Sequence, residues 1–561
     1  MHAMHHTTTP VENMPSLEGN NHPQAARPIA WTIAGSDSGG GAGLQADLRA
    51  FAALRVHGCS AVAAITAQNS VAITQAVAVD TAVLDAQLAA LADDMPPRAI
   101  KTGMLGSADN VRCVAHWVDR LRQRHPQQPL ALVVDPVWRA STGADLASRE
   151  LRQALLQELL PRATVITPNQ QEAAWLLDEA AQGLNGPHDV AQAAHLLKAQ
   201  GPQAVVITGG DSTHPQALDF VLACEDHGWL TLPRIHTPHH HGSGCTHASA
   251  LAAAMALGFC TADAAVLAKM CSTQAIEQGY AAGRGAGPVQ AQLGFARHCS
   301  KLPRWQDEPD FVGQPFAPLR QPDMGLYAIT DSADHLTALL AAGVRTVQLR
   351  IKQDGPAALP AHQLSAAIRH AVRAAQTAGA QLFINDHWEL ALEHGADGVH
   401  LGQDDLRYAD LPALQQAGLR LGLSTHSLWE VSRAHAWQPS YIACGPIHAT
   451  PTKDMPWRPQ GPDNLAYWSH VLPTPVVAIA GMDPDRARQA RRCGAAGVAV
   501  LRGLGPQAGL VDIVNRYQQA LQHASLDSPW PVPELPRSTL DLDQEPVTTL
   551  PPRPFASHPR P

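Results

Sequence analysis

Gln348-Leu349-Arg350-Ile351-Lys352 ends an apolar strand with charged side chains, and the second half of the chain repeats this arrangement. Each apolar stretch is followed by polar residues and then by a segment able to form a helix. The predicted strands are Gly325 to Ile329, Thr346 to Ile351, Gln381 to Ile384, Gly398 to Leu401, Arg420 to Leu423, Tyr441 to Cys444, Val476 to Ile479 and Gly497 to Leu501. Eight βα units in about 200 residues predict a closed (β/α)8 barrel with the TIM-barrel architecture.

Polar residues of this half fall where its predicted strands end. In a barrel of this kind, the C-terminal ends of the strands surround the active site. Arg350 and Lys352 are two residues apart and therefore face the same side of their strand. The other clusters are Asn385-Asp386, Gln403 with Asp405, Ser424-Thr425, Thr450 to Lys453, and Gly481. We therefore expect a single site at the mouth of the barrel.

The charges at this mouth favour a diphosphate ligand. Three cations and an amide are available there: Arg350, Lys352, Lys453 and Asn385. Such donors bind phosphate oxygens well. Asp386 and Asp405 lie on adjacent strands and suit a Mg²⁺ ion that bridges diphosphate oxygens. The alternative for the two carboxylates is ion pairing with the same basic residues, and both roles can coexist.

The first half also alternates strands and helices. Its predicted strands are Ala30 to Ala34, Ala61 to Ala67, Leu130 to Val134, Thr164 to Thr167 and Ala204 to Thr208. Helical stretches such as Gln45 to Leu54 and Ala191 to Lys198 lie between them. This pattern predicts an α/β domain with a mostly parallel sheet covered by helices. Ligands of such a sheet bind at the carboxyl ends of its strands.

A glycine-rich turn, Gly242-Ser243-Gly244-Cys245-Thr246, opens an Ala-rich apolar run. Its backbone N–H groups can approach a phosphate, and the following helix directs its positive end to the same place. The turn predicts an anion hole for phosphoryl transfer, and a tight turn without a ligand is the alternative. The adjacent His239-His240-His241 cannot all face one metal ion. We expect one of them to line the phosphate pocket instead.

A second glycine-rich segment, Ile33 to Gly43, differs in spacing and acidic partner from a dinucleotide-binding fingerprint. With Asp47 and Gln68-Asn69 it offers amide and carboxylate groups for a neutral nitrogen heterocycle. The alternatives are a helix-surface carboxylate for Asp47 and a strand-end cap for Gln68. Asp135 and Glu172 would suit a Mg²⁺ ion held mainly through water.

Composition excludes several classes of protein. The 561 residues are 45% apolar, which is typical of globular domains, and they carry a formal net charge of −9 without a basic run. Nucleic-acid binding is therefore not expected. No apolar stretch is long enough to span a membrane, and the start of the chain lacks the apolar core of a signal peptide. Nine cysteines without a Cys-x-x-Cys pair fit a reducing compartment. We expect a cytoplasmic protein, and a homo-oligomer is compatible with this sequence.

Length and composition divide the chain into five parts. Residues 1–26 and the Pro-rich residues 526–561 are predicted to be disordered tails. Residues 27–300 form the first predicted domain and residues 323–525 the second. Residues 301–322 are rich in Pro and charge, which is typical of a linker.

The first domain resembles the ribokinase-like hydroxymethylpyrimidine and phosphomethylpyrimidine kinases. The resemblance rests on the glycine-rich opening, Gln68, Asp135, Asn169-x-x-Glu172 and Gly242 to Thr246. Cys245 makes it specific, because most ribokinase relatives carry an Asp general base there. The resemblance implies a ribokinase-like α/β sandwich that uses ATP. It implies that the pyrimidine is bound by Gln68, Asp47 and Ala42, that catalysis uses Gly242, Ser243, Gly244 and Cys245, and that ATP and Mg²⁺ lie near Asp135, Asn169, Glu172 and Thr208. Thr208 departs from the Lys expected in this family.

The second domain resembles thiamine-phosphate synthase. The matching motifs are Gln348-Leu349-Arg350-x-Lys352, Ile384-Asn385-Asp386, Gly398 to Gln403 with Asp405, Ser424-Thr425-His426 and Gly445-Pro446-Ile447 with Thr450-x-Thr452-Lys453. The resemblance implies that the pyrimidine diphosphate binds Gln348, Leu349, Arg350, Ile351, Lys352, Asn385, Ser424 and the catalytic Lys453. It implies Mg²⁺ at Asp386 and Asp405. The residues implied for thiazole phosphate are Thr450, Pro451, Thr452, Gly481, Leu501 and Arg502. Arg502 departs from the Ser that usually follows the last strand.

Together the two resemblances imply an enzyme of thiamine biosynthesis with two activities. The first domain would phosphorylate hydroxymethylpyrimidine twice with ATP, and the second would couple the diphosphate to thiazole phosphate. One alternative is a pyridoxal-type kinase, against which Cys245 and Gln68 argue. The other is a barrel that only senses thiamine phosphate, against which the retained acidic and basic residues argue. Direct channelling between the sites gains no support from the linker.

Overall fold

The computed structural model describes residues 26–138, 148–178, 183–210, 212, 214–353, 358–449, 456–505 and 508–540. These residues form a ten-stranded sheet with packed helices, followed by a closed eight-stranded barrel. Both predicted architectures are confirmed.

The sheet of the first domain consists of β1 (Ile29–Asp37), β2 (His57–Gln68), β3 (Ile73–Ala78), β4 (Ala99–Thr102), β5 (Ala131–Val134), β6 (Val165–Ile166), β7 (Ala204–Ile207), β8 (Gln216–Leu222), β9 (His227–Pro233) and β10 (Arg304–Gln306). The strand order is β10-β9-β8-β7-β6-β5-β4-β1-β2-β3. The six strands from β7 to β2 in this order are parallel, and β3 and β8 to β10 extend the two edges with antiparallel pairs. The carboxyl ends of the parallel strands therefore share one edge.

Helices of the first domain are α1 (Gly43–Ala53), α2 (Thr81–Asp94), α3 (Ala108–Arg124), α4 (Arg149–Ala154), α5 (Gln170–Leu176), α6 (Pro187–Lys198), α7 (Ser243–Ala256) and α8 (Thr261–Glu277). Neighbouring side chains of a strand point to opposite faces of the sheet, and helices pack on both faces. On β1, Ala30 belongs to the core that contains α7 and α8. Trp31 and Ile33 belong to the other core, with α2 and α3.

The barrel consists of β11 (Gly325–Thr330), β12 (Thr346–Leu349), β13 (Gln381–Asn385), β14 (Gly398–Leu401), β15 (Arg420–Thr425), β16 (Tyr441–Cys444), β17 (Val476–Ile479) and β18 (Gly497–Val500). Its helices are α9 (Ala333–Ala341), α10 (Ala361–Ala378), α11 (Trp388–His394), α12 (Leu411–Gln416), α13 (Leu428–Trp437), α14 (Gly461–Val471), α15 (Pro484–Arg492) and α16 (Leu510–His523). All neighbouring strands are parallel, and β18 pairs with β11 to close the ring. Every predicted strand of this half has its counterpart here.

Aromatic rings fill the inside of the barrel. Tyr327, Phe383 and Tyr441 contact one another edge to face, with ring centroids 5.0 to 5.9 Å apart. Gly422 leaves room for them, since a Cβ at that position would lie 2.1 Å from the Tyr441 ring. The interior is thus a packed core beneath the mouth.

Residues of the predicted linker contact both domains, so the segment differs from a free tether. Strand β10 pairs with β9 of the first domain and buries Trp305. Further along, the amide of Phe316 donates to Gln438 O at 3.0 Å in the barrel. Burial of these two large apolar side chains explains why a Pro-rich segment is ordered here.

The predicted disorder of the C-terminal tail is wrong for residues 527–540. Trp530 Nε1 donates to Asp463 Oδ1 at 2.9 Å, and the amide of Arg537 donates to Asn464 Oδ1 at 2.7 Å. Glu534 pairs with Arg297 of the first domain at 3.1 Å. An extended segment with such anchors can pack although its Pro content prevents a helix. Residues 541–561 and 1–25 lie outside the described residues.

Within the described part of the chain, we find no helix whose length and hydropathy would let it cross a membrane.

Candidate active sites

The first candidate site lies at the carboxyl edge of the parallel strands, where the two glycine-rich segments meet. Gly242 has a φ of 84°, and a Cβ at this position would lie 2.1 Å from Gly41 O. Both the left-handed backbone and the close approach therefore require glycine. Gly242 is also the N-cap of α7, and no side chain caps that end. The helix terminus near Ser243, Gly244 and Cys245 is thus suited to an anion.

Asp37 organises the opposite loop, a role that was not predicted from the sequence. Its carboxylate accepts hydrogen bonds from the amides of Gly39, Gly41 and Ala42 at 2.8 to 2.9 Å. Burial alone would raise the pKa of Asp37, but hydrogen bonds from His241 and from the amides of Ala42 and Gly39 outweigh it and lower the pKa. An Asp that precedes a run of glycines is a recognisable turn signal.

His241 connects this loop to the predicted pyrimidine-binding residue Gln68. Its Nε2 lies 3.2 Å from Asp37 Oδ2 and 3.3 Å from Gln68 Nε2. His239 turns elsewhere, and its Nδ1 accepts the amide of Gly287 at 3.2 Å. Among the described residues, no three His, Cys, Asp or Glu side chains are grouped as metal ligands. The adjacent histidines therefore have separate roles.

Asp47 does not reach this pocket, which corrects its predicted role in binding the pyrimidine. The side chain is fully buried, so it is not a helix-surface carboxylate either. It accepts hydrogen bonds from Thr32 Oγ1 at 2.6 Å, from Ser249 Oγ at 2.7 Å and from Lys101 Nζ at 2.9 Å. Asp47 is a buried partner of Lys101, which was not among the predicted site residues.

Lys101 continues from Asp47 to Asp135 at the end of β5, with Nζ 3.2 Å from Asp135 Oδ2. Burial alone would lower the pKa of Lys101, but Asp47 and Asp135 raise it. Burial raises the pKa of Asp135, which Lys101 partly offsets. The thiol of Cys245 hydrogen-bonds to Asp135. Burial raises the pKa of Cys245 to about 12, and the thiol is therefore protonated at neutral pH.

Asn169 and Glu172 form a capping box at the start of α5. Asn169 Oδ1 accepts the Glu172 amide, and Glu172 Oε2 accepts the Asn169 amide, both at 2.8 Å. Thr208 lies beside them, in a bridge with Asn169. These residues lie at the carboxyl edge of the parallel strands, as expected for a ligand site. The hydrogen bonds between Asn169 and Glu172, however, stabilise the start of α5.

In the barrel, alternate residues of the Gln348 to Lys352 segment face the mouth. Gln348, Arg350 and Lys352 line the cavity there. Leu349 and Ile351 are buried in the core between strands and helices, so their side chains do not contact a ligand at the mouth. This orientation follows from the two-residue period of a strand, so a contact of Leu349 or Ile351 with the diphosphate would have to be made by the backbone.

The two predicted metal ligands lie together at the mouth. Asp386 Oδ2 pairs with Lys352 Nζ at 2.6 Å. Burial raises the pKa of Asp405, and the neighbouring Asp386 raises it further. Asn385 Nδ2 is buried and has no partner among the described protein atoms. The carboxylates of Asp386 and Asp405 provide hard oxygen ligands for a divalent cation. The Nδ2 group of Asn385 can donate a hydrogen bond to an anion. This donor set fits Mg²⁺.

A hydrogen-bond network beneath the mouth holds Gln348 and Ser424. Gln348 Nε2 donates to Tyr327 Oη at 2.8 Å, and Tyr327 Oη lies 2.8 Å from Tyr441 Oη. His400 bridges Tyr441 Oη at 2.7 Å and Ser424 Oγ at 2.9 Å. Each member of the network is thereby oriented by the next.

The residues predicted for thiazole phosphate are only partly described. Gly481, Leu501 and Arg502 line the mouth on the side of β17 and β18. Thr450, Pro451, Thr452 and the predicted catalytic Lys453 lie outside the described residues.

The mouth opens into a cavity of about 1780 Å³ whose far wall is the first domain. Arg98, Ala131, Thr164 and Ala204 contribute to that wall. They lie next to the amino ends of β4 to β7, whereas the first candidate site lies at the carboxyl ends. The two sites therefore face opposite edges of the sheet.

Family models match both halves of the chain. Residues 37–290 match phosphomethylpyrimidine kinase, and residues 326–504 match thiamine monophosphate synthase. A probable thiamine biosynthetic bifunctional enzyme of Oryza sativa subsp. japonica is 32% identical over 521 residues, which cover 89% of this chain and 91% of the rice protein.

Single-domain relatives match each half separately. A hydroxymethylpyrimidine/phosphomethylpyrimidine kinase of Synechococcus elongatus is 43% identical over 47% of this chain and 97% of its own length. A thiamine-phosphate synthase of Neisseria meningitidis is 46% identical over 36% of this chain and 97% of its own length. Among solved structures, an ADP complex of Bacillus subtilis pyridoxal kinase is 36% identical, covers 47% of this chain and 98% of that protein, and has a TM-score of 0.43.

Acidification should weaken the barrel through His400. Burial, together with Arg350 and Lys352, lowers the pKa of His400 from 6.5 to about 4. The unfolded chain therefore gains a proton between these pH values that the folded chain does not. The contribution of neutral His400 to the free energy of unfolding is complete above pH 6.5. It decreases as the pH falls, by about 2 kcal/mol at pH 5.

Thermal unfolding at pH 7 and pH 5 measures this effect. We expect His400→Gln to lose less stability between the two pH values than the unmodified protein does. The exposed His116→Gln is the matched control and should behave like the unmodified protein. An equal pH dependence for His400→Gln would contradict the assignment of a neutral, buried His400.

Proposed function

Because the chain belongs to the family of bifunctional thiamine biosynthetic enzymes, we propose that the site at Gly242 phosphorylates the pyrimidine and that the barrel mouth couples its diphosphate to thiazole phosphate. The chain is a hydroxymethylpyrimidine and phosphomethylpyrimidine kinase joined to a thiamine-phosphate synthase. ATP is the co-substrate of the kinase. The observation that carries the coupling step is the joint presence of Asp386, Asp405, Arg350 and Lys352 around one cavity.

In the kinase, the pyrimidine lies between Gln68 and the loop at Ala42. Its hydroxyl oxygen attacks the γ-phosphorus of ATP, the new O–P bond forms as the bond to ADP breaks, and the amides at Gly242 to Cys245 stabilise the transferring phosphoryl group. A protonated Cys245 thiol does not remove the hydroxyl proton, which leaves to the phosphate or to solvent. Lys101, held by Asp47, contributes fixed positive charge beneath this site.

Direct metal binding in the kinase is restricted by the hydrogen bonds already present. Asp135 is paired with Lys101, and Glu172 accepts the Asn169 amide. A Mg²⁺ ion near ATP would therefore be held through water, with Asp135 and Glu172 as outer partners and Thr208 beside them.

In the synthase, Arg350, Lys352 and Asn385 bind the diphosphate, and we assign Lys453, which lies outside the described residues, to the same ligand. Mg²⁺ bound by Asp386 and Asp405 would supply further positive charge for the leaving group. The C–O bond to pyrophosphate breaks, and the thiazole nitrogen forms the new C–N bond with the pyrimidine methylene carbon. Gln348 and Ser424 orient the pyrimidine, while Gly481 and Arg502 contact the thiazole phosphate. No protein nucleophile takes part.

The direct test is incubation of purified full-length protein with ATP, Mg²⁺, hydroxymethylpyrimidine and thiazole phosphate, with products followed by mass spectrometry. We expect the monophosphate, the diphosphate and then thiamine phosphate with pyrophosphate. Diphosphate that accumulates without thiamine phosphate would contradict coupling and favour a barrel that only binds thiamine phosphate. Preferential phosphorylation of pyridoxal in a mixture of both alcohols would favour the pyridoxal-type kinase.

Asp386→Asn should abolish coupling without changing the kinase. The substitution removes a carboxylate that faces the diphosphate and leaves Lys352 without its ion-pair partner. We expect synthase kcat/KM to fall at least about 100-fold, because electrostatic groups of this kind act on the leaving group. Kinase kcat/KM in the same preparation should be unchanged, and an equal loss of both activities would argue against independent sites.

Gly242→Ala should damage the kinase alone. A Cβ at Gly242 meets Gly41 O at 2.1 Å, and the left-handed φ adds strain of about 1–2 kcal/mol. Gly244→Ala is the matched control, since a Cβ there has no neighbour within 4 Å and the amide is retained. We expect kinase kcat/KM to fall at least about tenfold for Gly242→Ala. Similar kinase activity in both variants would contradict the proposed anion hole.

A further inference from the structure

An ion pair crosses the boundary between the two domains. Arg433 on α13 of the barrel pairs with Asp226, which lies in the turn between β8 and β9 of the first domain. Both side chains are almost completely buried, with relative exposures of 6% and 2%. The Arg433 guanidinium also lies 4.7 Å from the ring centroid of Trp429. The pair is therefore held in one geometry.

From Arg433 the contacts continue into the mouth of the barrel. Arg433 Nη1 donates to Gln403 Oε1 at 3.4 Å, and Gln403 Nε2 donates to Ser424 O at 2.7 Å. Ser424 Oγ in turn bonds to His400 at 2.9 Å. Asp226 is thus connected through Arg433 and Gln403 to the residues beneath the diphosphate site.

Asp263 of the first domain holds the same helix at a second point. Its Oδ1 accepts the amide of Trp429 at 2.8 Å, in the first turn of α13. That turn also contains Glu430, whose Oε2 accepts the His426 amide at the mouth. The first domain therefore supports α13 through its backbone as well as through Arg433.

We propose that Asp226 is a positioning residue of the synthase, which acts through Arg433 to hold Gln403 and Ser424 in place for the pyrimidine diphosphate. This inference rests on the proposed synthase function. The kinase domain is then a structural part of the synthase site, in addition to catalysing its own reaction at the opposite edge of the sheet.

A buried ion pair is suited to positioning more than to stability. Its attraction is largely offset by the loss of hydration of both charges, so the pair adds little net stability. The pair does fix the orientation of the Arg433 side chain, because a planar guanidinium bonds its partners in a defined geometry. Loss of Asp226 would leave Arg433 free to turn away from Gln403.

Asp226→Asn in the full-length protein tests this role. We expect the KM of the synthase for the pyrimidine diphosphate to rise about tenfold, with a smaller change in kcat, because ligand orientation is lost. Kinase kcat and KM should be unchanged. The matched control is Asp323→Asn, which breaks the Asp323–Arg491 pair next to the amino end of β11, away from the mouth, and should leave the synthase KM unchanged. An unchanged KM in folded Asp226→Asn protein would overturn the proposal.

The double variant Asp226→Leu/Arg433→Met separates positioning from stability. Apolar replacement of both charges should restore the melting temperature if the single variant lowers it. Positioning predicts that the raised KM persists, since Gln403 still lacks its donor, whereas recovery of the KM would overturn the proposal. Asp226→Glu, which keeps the charge, should recover part of the affinity. Absence of thiamine phosphate with the unmodified protein would instead reject the proposed synthase function.

Discussion

The parallel direction of neighbouring strands is the constraint on which both sites depend. In a parallel sheet or barrel, all carboxyl ends meet at one edge, so residues distant in the chain gather there. Asp37, Gln68, Asp135 and Gly242 come from separate parts of the first domain and share such an edge. The mouth of the barrel collects Lys352, Asp386, Asp405 and Ser424 in the same way. Chemistry at each edge is then set by a few side chains and, in the first domain, also by the amides at the start of α7.

Much of this organisation could be predicted because strand periodicity and strand-end polarity are local properties of the sequence. The eight barrel strands were predicted from short apolar stretches, and the two-residue spacing of Arg350 and Lys352 predicted that both side chains face the same side of their strand. The antiparallel edge strands β3 and β8 to β10 lack such repeating units and were missed. The parallel strand β4, which has four residues, was missed as well. The disorder predicted for residues 527–540 was wrong because Pro content does not report the anchoring of Trp530 and Arg537 on α14.

Several site residues could not be found because their roles depend on contacts between distant segments. Asp47 was expected at the pyrimidine, but Lys101, 54 residues away, holds it in the core. Leu349 and Ile351 belong to matching motifs, yet the pleat of the strand turns them away from the mouth. Arg433 and Asp226 carry no motif at all, and only the packing of the domains brings them together. Sequence motifs thus identify positions near a site and do not establish which side chains face it.

The arrangement of the domains separates production of the diphosphate from its use. The kinase site lies at the carboxyl edge of the sheet, and the barrel mouth faces the amino edge. Sites at opposite edges predict that the diphosphate passes from one to the other through solvent. Isotope dilution measures this directly, with labelled hydroxymethylpyrimidine and ATP supplied alongside a pool of unlabelled diphosphate. If the diphosphate passes through solvent, the label in thiamine phosphate is diluted to the ratio of the free pool. Undiluted label in the product would show direct transfer between the sites instead.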